Sequence, residues 1–422
     1  MKRQLSIVGV LIAVAAAATL GGQSAPGTAK PAAAPAQPGL LASPQAAAGM
    51  SELLRAAVAR GDVPGVVAMV VAPDRVLYHE AFGKQNIAQG LDMRKDAIFN
   101  IASMTKPVTS LAIMMLVEEG KLKLDDEASK YIPALKDLRV MSNINLAAGT
   151  FDTVPQTTPI TIRHLLTHTS GIAYTFSSPE LVLAQKVTGK TSELDLPLVS
   201  QPGAQWNYGA STKVLGDIVE KVTGQRIDAF MTARILKPLG MTDTFYEVPK
   251  DKYARVVTSH QRQPAGTFTE QPRGETIPVS VRGDGGLYST AADYGRFVQM
   301  LLNGGQLGGT RLLKADTVRE MERSHTGNVH ARLQKSTNPN LSKDFPVGAG
   351  ADGWGLGFQI AAPSTTSASF RRPGAYTWAG IFNTHFWVDP PAKAGVVFMT
   401  QTLPFYDDRV MKLMHDFEDL VY

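Results

Sequence analysis

The sequence predicts an α+β fold: an antiparallel sheet flanked by helices, with a mostly helical second domain. Three observations predict it. Two β-branched runs near the start, Gly65–Ala72 and Arg75–Phe82, flank a break at Pro73-Asp74 and read as a hairpin. Strand-like runs return at the end, over Tyr376–Val388 and Gly395–Thr400. Between them the apolar spacing is helical. Short hairpin links favour antiparallel pairing over βαβ crossovers, so the economical arrangement is one sheet built from both chain ends around a helical insertion.

Taken in order, the chain opens with Lys2-Arg3, an apolar run from Leu5 to Leu20 and small residues beyond it. This is the pattern of a secretory signal, assigned to residues 1–25, and the run is short for a membrane span. Residues 26–48 are rich in Ala, Pro, Gly, Gln and Ser and read as a linker. A helix is expected over Ser51–Arg60, before the hairpin, and another over Ser103–Glu119, closed by Gly120. Helical patterns follow at Ile162–Thr167, Thr212–Val222, Ile227–Leu236 and Ala291–Leu302, and a last amphipathic one at Asp407–Leu420. The expected domains are therefore an α/β domain, 49–121 with 276–422, and a mostly helical domain over 122–275.

Composition narrows the chemistry. There are no cysteines, which excludes disulfides, a thiol nucleophile and Cys-ligated metal. The eight histidines form no HExxH, and no metal or organic cofactor is called for. The formal charge is +5, about +3 once Lys2 and Arg3 leave with the signal, and basic residues are scattered among acidic ones. Nucleic acid is not an expected partner. Periplasmic or secreted localisation is expected, without stable membrane insertion after signal cleavage.

No GxSxG elbow is present; Gly209-Ala210-Ser211-Thr212-Lys213 lacks its last glycine. The one SxxK is Ser103-Met104-Thr105-Lys106, at the head of the second helix. Residues i and i+3 share a helix face, so the ammonium can approach the hydroxyl, and the helix N-terminus favours a developing anion. An N-cap serine beside a solvated lysine explains the string equally well, since a chain this long holds roughly one SxxK by chance.

Ile101–Lys106 closely resembles the nucleophile motif of class C β-lactamases and family VIII carboxylesterases. Further matching strings occur in family order: His164–Gly171 (HLLTHTSG), Gln201-Pro202-Gly203 before Trp206-Asn207-Tyr208, Gly285–Ala291 with Asp293-Tyr294, and Trp387-Val388-Asp389-Pro390. They span about 50 to 420, and imply a β-lactamase/transpeptidase-like fold. The resemblance implies catalytic roles for Ser103, Lys106 and Tyr208, with Tyr208 passing a proton between Ser103 and the leaving group. It implies an oxyanion hole from the N–H groups of Ser103 and Ile381, and substrate binding by Trp378, Ala379 and Gly380.

Departures from the family pattern bear on the substrate. Trp378-Ala379-Gly380 stands where β-lactamases carry Lys-Thr-Gly, and resembles the Trp-Gly-Gly of the esterases. Tyr208-Gly209-Ala210 lacks the amide of Tyr-Ser-Asn. Loss of a carboxylate-binding lysine and an amide-binding asparagine favours an apolar ester, and the expected partner is a small-molecule ester with a short acyl chain. β-Lactamase or D-amino-acid peptidase activity at the same site is the alternative, and a non-catalytic protein on the same fold is the third reading. His168 and Ser170 read as capping and loop residues. Lys213 reads as a surface residue, while His385 and the pair Arg371-Arg372 are unassigned.

Overall fold

The computed structural model describes residues 43–271, 274–362 and 371–422. The signal expected at 1–25 and the linker up to residue 42 lie outside the described residues. Strands of the main sheet are numbered β1 Gly65–Val71, β2 Val76–Asn86, β3 Leu91–Asp92, β4 Gly353–Trp354, β5 Gln359–Ile360, β6 Tyr376–Gly380, β7 Thr384–Asp389 and β8 Ala394–Met399. Their order is β4-β5-β6-β7-β8-β1-β2-β3, antiparallel throughout. The two chain ends therefore meet at the β8–β1 pair, where Val67 faces Met399 and Val71 faces Gly395.

β1 reads GVVAMVV because it is buried on both faces. Side chains alternate along a strand, so Val66, Ala68 and Val70 join one hydrophobic cluster, while Val67, Met69 and Val71 join another. The first cluster is closed by helices α1 (Pro44–Arg60) and, at the C-terminus, α5 (Asp408–Val421), through Leu54, Ala57, Val410 and Phe417. The second is covered by α4 (Ala291–Leu302) through Tyr294, Phe297 and Val298. It continues without a break into α2 (Thr105–Glu118) and α3 (Ser211–Thr223) of the helical part.

Three expectations need correction. The strand expected over Tyr376–Val388 is two strands, β6 and β7, joined by a tight turn. The Asn383 N–H donates to the Gly380 carbonyl (3.0 Å), and Asn383 takes the left-handed φ of 57° that asparagine tolerates. The last residues of the expected linker are helical, because α1 starts at Pro44. Ser43 caps it by accepting from the Ala46 N–H (3.1 Å), and proline suits the first turn. The region 122–275 contains a β-hairpin, Arg139–Asn145 with Thr150–Pro155, and its helix at Ile227–Met231 continues as a π-helical turn over Thr232–Leu236.

One buried cation fastens the helices on the α1/α5 face. The Arg262 guanidinium donates to Asp407 (2.6 Å), which itself caps α5 by accepting from Arg409 and Val410 N–H groups. Its other nitrogens donate to the carbonyls of Gly61 and Asp62, just past the end of α1. Removing one partner of a buried pair leaves the other charge uncompensated, and the cap is lost as well. Asp407→Ala is expected to lower unfolding free energy by about 3 kcal/mol in urea titration. A loss under about 1 kcal/mol, the range of an exposed pair, would show that this link is ornamental.

Candidate active site

The residues before the nucleophile are pinned from two sides. Phe99-Asn100 pairs with Tyr288-Ser289, and the Ile101 N–H donates to the Leu287 carbonyl (3.0 Å). The Gly285–Ser289 motif is thus the shelf on which the nucleophile turn rests. Ala102 has a φ of 40°, in the left-handed region unfavourable for a residue with a Cβ, and its N–H donates to the Asn100 side chain (3.0 Å). Ser103 then lies in a short 3-10 turn, Ala102–Met104, that leads directly into α2.

Lys106 comes one turn later and is almost completely buried. Its Nζ donates to Ser103 Oγ (2.9 Å) and to the backbone carbonyl of Asp284 (2.8 Å). It also lies 5.2 Å from the ring centre of Tyr174 and 5.0 Å from that of Tyr208. The Tyr208 hydroxyl donates to Ser103 Oγ at 2.7 Å. The structure therefore brings Ser103, Lys106 and Tyr208 together around one oxygen, although Tyr208 is 105 residues away in the chain.

Tyr208 is held by its backbone. Its carbonyl accepts from the Tyr174 N–H (3.1 Å), and the Asn207 N–H donates to the His168 carbonyl (2.8 Å). A Cβ at Gly209 would collide with the Ile172 carbonyl, so the residue after the tyrosine has to be glycine. The ring packs against Trp378 (centroids 4.9 Å apart), His168 (5.2 Å), Tyr174 (5.2 Å) and Trp206 (6.3 Å).

The third part of the site is the end of β6. β5 pairs only with Tyr376 and Thr377, so the nucleophile turn takes the place beside Gly380. A Cβ at Gly380 would strike the Ile101 carbonyl. Gly380 does not line the pocket; its contribution is this close approach. Ser103, Tyr208, Trp378, Ala379 and Ile381 do line one pocket, together with Phe176, Phe345 and Phe405. Ile381 and Ser103 thus face the same space.

A charged group missed in the sequence stands behind Lys106. The Asp284 carboxylate accepts from the Arg282 guanidinium (2.8 and 2.9 Å) and from the Tyr174 hydroxyl. Burial alone raises its pKa, but Lys106, then Arg282 and Tyr174, outweigh burial and hold the carboxyl below its usual range. The signal available was Arg282-Gly283-Asp284, directly ahead of the Gly-Gly shelf.

The remaining candidates find other places. Ser170 Oγ pairs with Ser211 Oγ (2.8 Å), so it makes no dyad with His168. Lys213 forms a partly exposed pair with Asp217 (2.8 Å). Arg371 is buried on Glu418 and over the Trp387 ring, and Arg372 lies 3.6 Å from Asp389. His385 pairs in register with Ala379, one strand away from the site. Among the described residues no cluster of three or more His, Asp or Glu is arranged to hold a metal ion.

Two buried histidines make the fold sensitive to acid. Burial, reinforced by Lys106, lowers the His168 pKa to about 3. Burial, with Arg371 and His415 adding, does the same to His385. Unfolded histidine titrates near ~6.5. Below that value the unfolded chain takes up protons that the folded chain refuses until about pH 3. Their stabilising effect is complete above neutral pH and declines as pH falls through this window, by roughly 1.4 kcal/mol per pH unit for each histidine. His168→Gln should flatten the fall in unfolding free energy between pH 6 and 4 by about that amount; parallel curves for variant and wild type would disprove the assignment.

Comparison with known proteins identifies the fold. The family model described as Beta-lactamase matches residues 50–420. The chain is similar to Protein Rv1367c of Mycobacterium tuberculosis, 34% identical over 82% of this chain and 87% of that one. It is similar to the lovastatin esterase of Penicillium rubens, 30% identical over 88% and 98%. Among solved structures it resembles a LovD6 mutant of the simvastatin synthase of Aspergillus terreus. That likeness has a TM-score of 0.76 and 25% identity, over 90% of this chain and 95% of that one. The chain belongs to the β-lactamase family of serine enzymes and carries its fold.

Proposed function

We propose that the protein is a serine carboxylesterase that cleaves esters of short acyl groups through an acyl-enzyme on Ser103. The observation that carries this reading is the convergence of Lys106 Nζ (2.9 Å) and Tyr208 OH (2.7 Å) on Ser103 Oγ. The pocket around that oxygen is walled by aromatic rings, with Trp378 where a carboxylate-binding lysine would serve an anionic substrate. Similarity to a protein named lovastatin esterase supports the same reaction class.

Ser103 Oγ attacks the ester carbonyl with Tyr208 as the phenoxide, its own proton already given up to solvent; the Ser103 proton passes to the Tyr208 oxygen while Lys106 holds Ser103 Oγ in place. The carbonyl oxygen becomes an oxyanion facing the N–H groups of Ser103 and Ile381. Collapse of the tetrahedral intermediate breaks the bond to the alkoxide, which takes the proton from Tyr208 and leaves as alcohol. Water then repeats the sequence on the acyl-enzyme and releases the acid. Asp284 acts as a positioning residue: its backbone carbonyl orients the ammonium and its carboxylate balances the charge.

Acyl transfer to an alcohol in place of water is a second reading, favoured by the likeness to a protein named simvastatin synthase. It uses the same acyl-enzyme and differs only in the acceptor.

The deciding measurement is kcat/KM for p-nitrophenyl butyrate and for a chromogenic cephalosporin. The ester is expected to win by orders of magnitude, and Ser103→Ala to abolish both activities. Dominant cephalosporin turnover would transfer the function to β-lactams, and an active Ser103→Ala would remove the nucleophile from its role. The reading also places the protein outside the cytoplasm, on the strength of Lys2-Arg3 and the Leu5–Leu20 run. The intact mass of the mature protein should lack that segment; a full-length mass would contradict export by cleavage.

A further inference from the structure

The pocket at Ser103 is closed by a strap, residues 331–347, that contains no helix or strand of its own. The strap is tied to each of the phenylalanines that wall the pocket. The Thr337 hydroxyl donates to the Thr175 carbonyl (2.7 Å), and the Thr337 N–H donates to the Phe176 carbonyl (3.0 Å). The Lys343 N–H donates to the Phe405 carbonyl (2.9 Å), and the Phe405 N–H donates back to the Leu341 carbonyl (2.9 Å). Phe345 places its own ring in the wall, edge-on to Tyr208 with centroids 6.2 Å apart.

The strap also grips the chain beside Tyr208, through Arg332. Its guanidinium donates to the side-chain oxygen of Gln205 (2.8 Å) and to that of Asn207. Arg332 is partly buried, and burial lowers its pKa. Both acceptors are neutral amides rather than carboxylates, so neither offsets the cost of taking the cation out of water, and stability alone is a poor reason for the contact. Asn207 is otherwise fully engaged. Its side-chain nitrogen donates to Ser200 Oγ (2.9 Å) and to the Gln205 carbonyl (3.3 Å), and its N–H donates to the His168 carbonyl (2.8 Å). Arg332 takes the remaining oxygen and so fixes the residue that leads into Tyr208. The Gln334 side chain donates to the Arg332 carbonyl (3.0 Å), while Gln334 and Phe345 exchange backbone hydrogen bonds (2.9 and 3.1 Å). One short stretch therefore holds Tyr208 from its backbone, through Arg332, and from its ring, through Phe345.

We infer that Arg332 is a positioning residue for Tyr208, acting through Asn207 to hold the phenol oxygen on Ser103 Oγ. The inference rests on the esterase reading for its choice of substrate. The 2.7 Å contact between Tyr208 and Ser103 is the path along which the proton moves, and a displacement of about 1 Å can lower such a rate by about a hundredfold. A guanidinium suits the task because its planar fork fixes two acceptors at once, where an ammonium would turn freely. Arg332 is not among the residues that line the pocket, so its effect falls on the chemistry and not on substrate binding.

The test compares Arg332→Ala with wild type in kcat and KM for p-nitrophenyl butyrate, per active site counted with a fluorophosphonate, and in the rate at which that reagent labels Ser103. In Arg332→Ala, kcat should fall by about tenfold to a hundredfold with KM held within about twofold, and labelling should slow in parallel. Millimolar guanidinium should restore part of both losses by refilling the vacated site. If Arg332→Ala does not fold, Arg332→Lys, which keeps the charge and loses the fork, should show the same split. Lys335→Ala breaks an exposed pair with Asp344 on the same strap and should leave kcat unchanged. An equal loss in Lys335→Ala would mean general loosening of the strap and overturn the assignment. So would a raised KM at unchanged kcat, or fewer active sites and a lower unfolding midpoint with kcat per site unchanged. If wild type turns over no ester, slowed labelling of Ser103 in Arg332→Ala still supports the positioning role, and unchanged labelling overturns it.

Discussion

A lysine ammonium buried inside an apolar core is costly unless every direction around it is satisfied, and the arrangement of this protein follows from satisfying Lys106. Its Nζ has two oxygen acceptors, Ser103 Oγ and the Asp284 carbonyl, and two aromatic faces, Tyr174 and Tyr208. The Asp284 carboxylate supplies the compensating charge, and is itself tied to Arg282 and Tyr174. These partners come from the turn before α2, from the loop after the short helix at Ile162–Leu166, from the segment before α3, and from the shelf before α4. Four distant stretches of chain must therefore meet at one nitrogen. A misplacement of any of them exposes the cost of the buried charge, so the same constraint that holds the helical part to the sheet also fixes the nucleophile.

Around that charge the site is aromatic rather than polar. Trp378 contacts Trp354 (4.8 Å) as well as Tyr208, and His168 sits edge-on to Trp354 (5.4 Å). His168 belongs to this cage as a ring: kept neutral, it adds no positive charge beside Lys106, which would repel it. The cage buries the Lys106 ammonium, and hydrogen bonds made there are stronger than they would be at the surface. Among the described residues, Trp378 gives this wall of the pocket an apolar ring rather than a charge.

Much of this was legible in the sequence, and the reasons differ by element. α4 matches its pattern from Ala291 to Leu302 because a strongly one-sided helix has one way to pack, with Thr290 capping it. β1 and β2 were readable from β-branched residues around a Pro-Asp turn. The hairpin at Arg139–Pro155 was not, because Thr150–Pro155 is largely exposed and carries no strong apolar alternation. The break between β6 and β7 was hidden in the apolar continuity of Trp378 through Val388; only Asn383, in a left-handed conformation, marks it. In the site, Ser103 and Lys106 were visible as a local i, i+3 pair. Tyr208 was reachable only through resemblance, since nothing in the residues around it states which hydroxyl it will meet. Asp284 was passed over because its function is expressed largely through its backbone carbonyl, which any residue carries.

The turn that splits β6 from β7 also explains how a sheet edge becomes a reactive surface. Had the strand run on to Val388, the residues after Gly380 would have stayed in a ladder, with backbone groups spent on a neighbouring strand. The chain instead reverses over Ile381–Asn383, and Asn383 anchors the reversal by donating to the carbonyls of Thr402 and Pro404 (2.8 and 2.9 Å). Glycine at position 380 then lets this end approach the Ile101 carbonyl, directly before the left-handed Ala102. Strain in the nucleophile turn and close approach of the strand are thus one feature, seen from its two sides. Each confines the other, and Ser103 and Ile381 line the pocket left between them.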